Sequence, residues 1–163
     1  MSIVAVKVKD GKITLGADSI LVCGYTQEKR EDAKLFKVSD RLMFGAVGMA
    51  KDGALLKMFA VSREPKSNSD EDILDFMQEF SEWKKKKGDA GSLGDSLYII
   101  VFNNKAFHFN DYYIREIVDY DAIGAGMTYA LAALYLGSDV RKAIETACEL
   151  NIYCEKPINT LEM

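Results

Sequence analysis

Ser2 is the residue of this sequence that could do chemistry with the least support from other side chains. The chain begins Met1-Ser2-Ile3. Methionine aminopeptidase generally accepts a small second residue, so removal of Met1 would leave Ser2 with a free α-amine. An α-amine, with a pKa of about 8, can act as the base that activates the hydroxyl of the same residue. Ser2 is therefore a candidate nucleophile, provided that nearby charges support it.

The other common catalytic and ligand-binding arrangements lack their residues. His108 is the only histidine in the chain, so neither a Ser-His-Asp triad nor a Cys-His pair is indicated, and we predict a structural role for it. Cys23, Cys148 and Cys154 form no Cys-x-x-Cys pair and are predicted to be reduced thiols. The stretch 88–94 lacks the Gly-Lys-Ser/Thr ending of a phosphate-binding loop. The sequence thus predicts no metal and no cofactor.

Two β-hairpins are predicted where the chain must position Ser2. Residues 2–9 and 13–15 flank an Asp-Gly turn, which is typical of a tight hairpin. Residues 34–38 and 42–47 form a second pair across a short turn. The later strand is almost wholly apolar, which predicts burial on both of its faces.

Two helices are predicted to follow these strands. Residues 49–61 carry apolar side chains at helical spacing, and a longer apolar stripe follows a cap at Ser69 or Asp70. Four lysines at 84–87 and then Gly88 end this second helix, because cations suit the negative end of the helix dipole and glycine suits a stop. We predict that the lysines form a solvated helix end rather than a binding patch.

The rest of the chain repeats the order of strands and then helices. Strands are predicted at 97–102, 106–109 and 114–118, and they form a second antiparallel sheet. Helices and a final loop or short strand are predicted at 127–136, 139–150 and 152–163. Segregated runs of strands and helices indicate an α+β protein. The simplest packing of these pieces is a four-layer αββα sandwich of two antiparallel sheets flanked by helices.

Length and charge narrow the class of partner. The 163 residues predict a single domain over 1–163. The 21 Lys and Arg against 25 Asp and Glu give a net charge of −4, whereas proteins that bind nucleic acid usually carry the opposite balance. No apolar run approaches the ~20 residues that span a bilayer, and the first residues are too short a run for a signal peptide. We expect a cytoplasmic protein that binds neither membrane nor nucleic acid.

Several short motifs, spread over nearly the whole chain, belong to one pattern. They are Ser2-Ile3-Val4-Ala5-Val6-Lys7, Gly16-Ala17-Asp18-Ser19, Lys34, Phe44-Gly45-Ala46-Val47-Gly48, Ala122-Ile123-Gly124-Ala125-Gly126, Tyr129-Ala130, Asn151-Ile152-Tyr153-Cys154 and Pro157-Ile158. In this pattern the chain resembles the proteasome β-type subunits, and especially the peptidase subunit of the bacterial ATP-dependent two-component protease. All of these are N-terminal nucleophile hydrolases, so the resemblance implies their αββα fold.

The resemblance also implies catalytic roles. Counted from Ser2, Asp18 and Lys34 lie at the spacing of the family, whereas counting from Met1 places both one residue off. Lys34 would be the cation that lowers the proton affinity around the nucleophile, and Asp18 the carboxylate that orients it. Gly48 falls where the family places the backbone N–H of the oxyanion hole. Matching the first strand directly onto that of the family instead puts Met1 at the nucleophile position, which would make the site inactive.

Three supporting positions depart from the family pattern. Ala125 replaces the serine of Gly-Ser-Gly, and Asn151 and Cys154 replace the common Asp and Ser. These changes leave fewer side chains that can form hydrogen bonds near the α-amine of Ser2. Serine in place of threonine also removes the methyl group that helps to fix the hydroxyl rotamer. A retained Met1 would block the amine of Ser2.

The resemblance implies a peptidase subunit of a homo-oligomeric ring in which Ser2 attacks the peptide carbonyl. A ring-shaped ATPase would feed unfolded polypeptides to it, and Ile20, Leu21 and Met49 would form an apolar substrate pocket. One alternative is a catalytically inactive ring or shell protein, which Ala125, Asn151 and a retained Met1 would favour. Another is an N-terminal nucleophile amidohydrolase acting on a small amide, because one fold can host several chemistries.

Overall fold

The computed structural model describes residues 2–30, 34–89 and 93–163, and within these ranges it has eleven strands and four α-helices. Met1 lies outside the described residues. The strands are β1 (Ile3–Lys9), β2 (Lys12–Ala17), β3 (Ile20–Cys23), β4 (Thr26–Lys29), β5 (Leu35–Lys37), β6 (Leu42–Gly48), β7 (Ser96–Phe102), β8 (Lys105–Asn110), β9 (Tyr113–Ile117), β10 (Tyr120–Gly124) and β11 (Asn159–Glu162). The helices are α1 (Ala50–Ala60), α2 (Asp70–Lys86), α3 (Met127–Tyr135) and α4 (Val140–Leu150), and a short 3-10 helix, Leu93–Asp95, precedes β7.

Two antiparallel sheets and one small hairpin organise these strands. The first sheet has the order β10-β1-β2-β11, and the second has the order β5-β6-β7-β8-β9. Among the residues that the structure describes, β3 and β4 pair only with each other. In the first sheet β1 is central, which places Ser2, immediately before it, between the ends of β2 and β10.

Three apolar layers hold the sheets and helices together. The middle layer lies between the two sheets and joins β1 and β2 to β6 and β7 through Val4, Val6, Leu15, Met43, Val47, Ile99 and Val101. A second layer lies between the five-stranded sheet and α1 and α2. A third lies between the four-stranded sheet and α3 and α4. This order of layers is the predicted αββα sandwich.

The locally encoded elements agree with the sequence prediction. The β1–β2 hairpin turns at Asp10-Gly11, whose positive φ angles of 51° and 76° suit a two-residue hairpin turn. The N-cap of α2 is Ser69, and the Asp139 carboxylate caps α4 by accepting a hydrogen bond from the Lys142 N–H at 2.7 Å. The predicted four helices and the strands at the two hairpins are therefore confirmed.

The division of strands between the sheets was predicted wrongly. The strands that follow α2 do not form a sheet of their own, because β7 pairs along its whole length with β6, from Leu42↔Phe102 to Gly48↔Ser96. Strand β10 instead crosses to the first sheet and pairs with β1. An apolar strand such as β6 needs a neighbour on each edge, but its composition does not specify which distant strand supplies one.

The lysine run at the end of α2 was predicted as wholly solvated, and this is wrong for one residue. Lys85, Lys86 and Lys87 are exposed, but Lys84 is 1% exposed and lies under α1 against Asp52. A helix of this amphipathic type turns one residue in three or four toward the core, so one member of a four-residue run faces inward.

His108 links the two sheets at one edge. The ring N–H at Nδ1 donates to Asp121 Oδ2 at 2.7 Å, and Arg115 donates to the same oxygen at 2.7 Å. His108 and Arg115 belong to the second sheet and Asp121 to the first.

Among the helices of the described ranges, none has the length and apolar character needed to cross a membrane.

Candidate active site

Ser2 lies at the entrance of β1, where three backbone segments meet. The residue is 5% exposed, and its carbonyl accepts a hydrogen bond from the Gly126 N–H at 3.3 Å. Gly124, with φ of +103°, passes so close that a Cβ there would come within 2.4 Å of the Ser2 carbonyl oxygen. The first sheet and the loop before α3 therefore fix the backbone of Ser2.

Asp18, the first residue after β2, collects hydrogen bonds from three parts of the chain. Its Oδ1 accepts from the Ile3 N–H at 2.9 Å and from Lys34 Nζ at 2.5 Å, and its Oδ2 accepts from the Glu155 N–H at 3.2 Å. Both side chains of the Asp18–Lys34 ion pair are buried. Charge-assisted hydrogen bonds of this kind are the strong ones, so the pair fixes the Lys34 ammonium next to the start of β1.

Burial and pairing act on Lys34 in opposite directions. Desolvation lowers the pKa of Lys34 below its ordinary value, and the charge of Asp18 together with its hydrogen bond partly offsets this shift. Asp18 thus favours the charged form of a lysine that burial alone would make easier to deprotonate.

A small cleft brings the predicted residues together. Ser2, Lys34, Gly48, Leu21 and Met49 all line it, and its volume of about 20 Å³ is close to that of one water molecule. The rest of the lining is small or apolar: Ala46, Val47, Ala50 and Gly53.

Two of the three residues predicted for the substrate pocket line this cleft. Ile20 is instead buried in the apolar core and is not among the lining residues. Successive side chains of a strand point to opposite faces, so along β3 the inward position of Ile20 leaves the cleft to Leu21.

The supporting residues hold the loops around Ser2 through backbone groups. Asn151 Nδ2 donates to the Ala125 carbonyl at 2.7 Å, and its Oδ1 accepts from the Tyr153 N–H at 2.9 Å. The Cys154 N–H donates to the Asn151 carbonyl at 3.1 Å. Asn151 therefore ties the turn after α4 to the loop before α3.

The two cysteines on this side of the molecule are poor nucleophiles. Burial raises the pKa of Cys148 and of Cys154 to about 12, and the negative charge of Asp18 adds to the shift of each thiol. Both therefore stay protonated near neutral pH.

A larger cleft of about 650 Å³ lies at the far end of the first sheet. It is lined by Lys7, Lys9, Lys12, Thr14, Asp139, Arg141 and Glu162 among others, and it contains none of the predicted catalytic residues. We place the candidate site at the smaller cleft because a candidate nucleophile, a buried cation and a glycine with φ of +116° meet there. Within the described ranges, no group of three His, Cys, Asp or Glu side chains is arranged to hold a metal ion.

A cluster of three residues that contacts the backbone of Met49, a residue of the cleft, was not found from the sequence. Ser96 donates to Asp52 Oδ2 at 2.7 Å, and Lys84 donates to Asp52 Oδ1 at 2.7 Å. Asp52 lies in the first turn of α1, whereas its partners Lys84 and Ser96 come from α2 and β7. Only the packing of these elements brings the three together.

The comparisons with known proteins bear on this fold. No family model matches the chain, and no curated protein matches it. Among solved structures, Thiobacillus denitrificans BPH in complex with epoxomicin is similar with a TM-score of 0.88 and 21% identity, covering 99% of this chain and 97% of that one. A second structure of the same BPH gives 0.86 and 20%, again covering 99% and 97%. Eukaryotic HslV from Trypanosoma brucei gives 0.70 and 16%, covering 98% of both chains.

These likenesses identify the class of fold. The chain has the four-layer αββα fold of BPH and HslV, which is the fold that its motifs predicted. At identities of 16–21% the likeness extends to the fold alone.

Proposed function

We propose that this chain is a proteasome-like peptidase subunit whose nucleophile is Ser2 once Met1 has been removed. The observation that carries the proposal is the meeting of Ser2 with the buried Lys34–Asp18 pair at a cleft bordered by Gly48. No catalytic histidine is needed for this chemistry, because the amine of Ser2 serves as the base.

Each residue has a separate task in the proposed reaction. The Ser2 hydroxyl attacks the peptide carbonyl while its α-amine takes the proton through a water molecule. The Lys34 ammonium stabilises the negative charge that develops on the Ser2 oxygen, and Asp18 holds Lys34 in place. The Gly48 N–H stabilises the carbonyl oxygen in the tetrahedral intermediate. The intermediate collapses to an ester of Ser2 as the C–N bond breaks and the leaving amine takes the proton back from the α-ammonium group. Water then hydrolyses this ester, which releases the carboxylic acid and restores the Ser2 hydroxyl.

The lining of the cleft supports an apolar preference at the residue before the cleaved bond. Leu21, Met49 and Ala46 present apolar groups, and the charge of Lys34 is paired with Asp18. We expect peptides with small apolar residues to be cleaved in preference to peptides with charged ones.

Exposed apolar side chains support the ring assembly. Met58 and Val61 at α1, Tyr135 and Leu136 at α3, and Ile152 after α4 are each more than half exposed. Contiguous exposed apolar surface is typical of contacts between subunits, and Met58 with Val61 and Tyr135 with Leu136 are each close neighbours in the chain. We propose a homo-oligomeric ring in the cytoplasm, with a ring-shaped ATPase supplying unfolded polypeptides.

The test of the catalytic proposal is the intact mass of the purified chain with and without epoxomicin. One solved structure of Thiobacillus denitrificans BPH is a complex with this compound. An epoxyketone forms its ring adduct with both the hydroxyl and the free amine of an N-terminal nucleophile. We expect loss of Met1 and one adduct, which Ser2→Ala abolishes and Ser138→Ala, the same change elsewhere on the chain, retains.

The alternative function is a catalytically inactive ring or shell protein. It is favoured by Ala125, which brings no hydroxyl to the amine, and by Asn151, whose amide group is engaged with backbone groups. A retained Met1 together with no epoxomicin adduct would refute the peptidase proposal in favour of this one. A monomer at micromolar concentration, measured by light scattering, would contradict both ring proposals.

A further inference from the structure

A buried ionic cluster lies between α1, α2 and the start of β7. Asp52 and Lys84 are each 1% exposed and form an ion pair of 2.7 Å, and the Ser96 hydroxyl donates to the other oxygen of Asp52 at 2.7 Å. Replacing a buried ion pair by apolar residues is often neutral or stabilising, so fold stability alone does not account for such a cluster. Its contacts with the backbone suggest another role.

The cluster ends on the backbone of the turn that follows β6. The Met49 N–H donates to Ser96 Oγ at 3.1 Å, and the Met49 carbonyl accepts from the Asp52 N–H at 2.9 Å. Both polar groups of Met49 are therefore held by members of the cluster. Gly48, the residue before it, lies opposite Ser96 in the β6–β7 register and has a φ of +116°.

The hydroxyl of Ser96 has a fixed orientation in this arrangement. It carries one hydrogen, which goes to Asp52, so its lone pairs are left to accept from Met49. Lys84 compensates the carboxylate charge of Asp52 inside the protein. Lys84 and Ser96 thus both donate to Asp52, and the Ser96 oxygen accepts from the Met49 N–H, which links the ion pair to the main chain.

We infer that Ser96, Asp52 and Lys84 are positioning residues that fix the Gly48–Met49 turn for the reaction of Ser2. The inference rests on the proposed function, in which the Gly48 N–H is an oxyanion donor. The Gly48 N–H belongs to the peptide before this glycine, and the Ser96 hydroxyl holds the N–H of the peptide after it. Because glycine has no side chain to restrict its backbone angles, loss of that hydroxyl lets Gly48 shift its own N–H away from the position that a preorganised oxyanion donor needs.

The first test compares Ser96→Ala with the wild-type chain on an apolar fluorogenic peptide. We expect kcat to fall roughly 10- to 100-fold, because a small misplacement of a catalytic donor has effects of this size, while KM stays within about twofold. Ser96→Thr keeps the hydroxyl and should retain most of the activity. Ser81→Ala makes the same change at another buried serine, on α2, and should leave kcat unchanged.

A second measurement reports on the turn without requiring catalysis. In a Ser2→Ala background, hydrogen exchange of the Met49 amide should accelerate when Ser96 becomes alanine and stay slow when Ser81 does. Asp52→Asn should accelerate it less than Ser96→Ala, because the asparagine oxygen can still accept from Ser96. Unchanged Met49 exchange in Ser96→Ala would overturn the inference.

The kinetic outcomes separate the inference from the function on which it rests. If the wild-type chain forms no epoxomicin adduct, the proposed function fails and the positioning role fails with it. If the wild-type chain reacts and Ser96→Ala reacts at the same rate, only the positioning role is refuted. A fall in kcat that Ser81→Ala reproduces would also refute it, since any lost buried serine would then have the same effect.

Discussion

At the scale of single residues, Asp18 does most to define the site. Its two oxygens join the start of β1, the side chain of Lys34 and the segment around Glu155. A buried carboxylate satisfied by two backbone amides and an ammonium group has little freedom to move. The same carboxylate that orients Lys34 therefore also fixes the residue next to Ser2.

Gly124 is a residue at which the backbone around Ser2 admits no side chain. We predict that Gly124→Ala lowers the free energy of unfolding more than Gly137→Ala does. Both glycines have φ near +100°, but a Cβ at Gly137 meets nothing within 4 Å. Strain alone should cost about 1–2 kcal/mol in Gly137→Ala, and the contact with the Ser2 carbonyl should add roughly 1–3 kcal/mol in Gly124→Ala.

Urea unfolding followed by tryptophan fluorescence measures both variants. Equal losses in the two variants would show that the Ser2 carbonyl is not tightly confined by Gly124.

At the scale of elements, α4 depends on close contact with the first sheet. A Cβ at Gly16 of β2 would come within 2.6 Å of Val140 and 2.7 Å of Ile144, so the absence of a side chain there lets the helix lie directly on the strand. The helix leads into the turn of Asn151, which ties the loop before α3. The packing of α4 against β2 therefore helps to place Asn151 and the loop before α3 that Asn151 holds.

The N-cap of α4 offers a test of this element. We predict that Asp139→Ala destabilises the chain by about 1 kcal/mol, because the Lys142 N–H loses its acceptor. Asp139→Asn should retain most of the stability, since asparagine caps a helix about as well. Thermal and urea unfolding of the two variants measure the difference, and an equal loss in both would exclude the cap as the cause.

At the scale of the whole molecule, the two sheets are joined by polar contacts as well as by their apolar layer. Asp121 of β10 is buried at the edge of the first sheet, and both His108 and Arg115 reach it from the second sheet. Desolvation raises the pKa of Asp121. Hydrogen bonds from His108 and the Ala122 N–H, together with the charges of His108 and Arg115, lower it by a larger amount, so the pKa of Asp121 lies below its ordinary value.

This shift predicts how stability depends on pH. Because the pKa of Asp121 is lower in the folded than in the unfolded chain, its stabilisation is fully present above the ordinary carboxyl pKa of about 3.9 and is lost as the pH falls through the folded value. Asp121→Asn should therefore be less stable than wild type at pH 7 and should lose less stability on acidification.

Urea unfolding at a series of pH values between neutral and acid checks this prediction. Asp40→Asn, which changes a fully exposed carboxylate, is the matched control and should leave the profile of the wild type nearly unchanged. A profile for Asp121→Asn that falls as steeply as that of the wild type would contradict the prediction.

The sequence by itself determined the features that depend on neighbouring residues. The Asp-Gly turn between β1 and β2, the cap of α2 at Ser69 or Asp70, and the amphipathic stripes of the helices follow from local backbone preferences and from the periods of strand and helix. The short motifs also indicated the class of fold and the candidates Ser2, Asp18, Lys34 and Gly48. These motifs are readable because each is a short run with characteristic residue types.

Only the tertiary structure decided which distant residues meet. The pairing of β6 with β7, the burial of one lysine from the run at 84–87, and the placement of Leu21 rather than Ile20 at the cleft all depend on packing between elements. The contact of Ser96 with Asp52 joins residues far apart in the chain. Local sequence pattern specifies which face of an element is apolar, but the partner of that face is chosen by shape and by the burial of polar groups across the whole molecule.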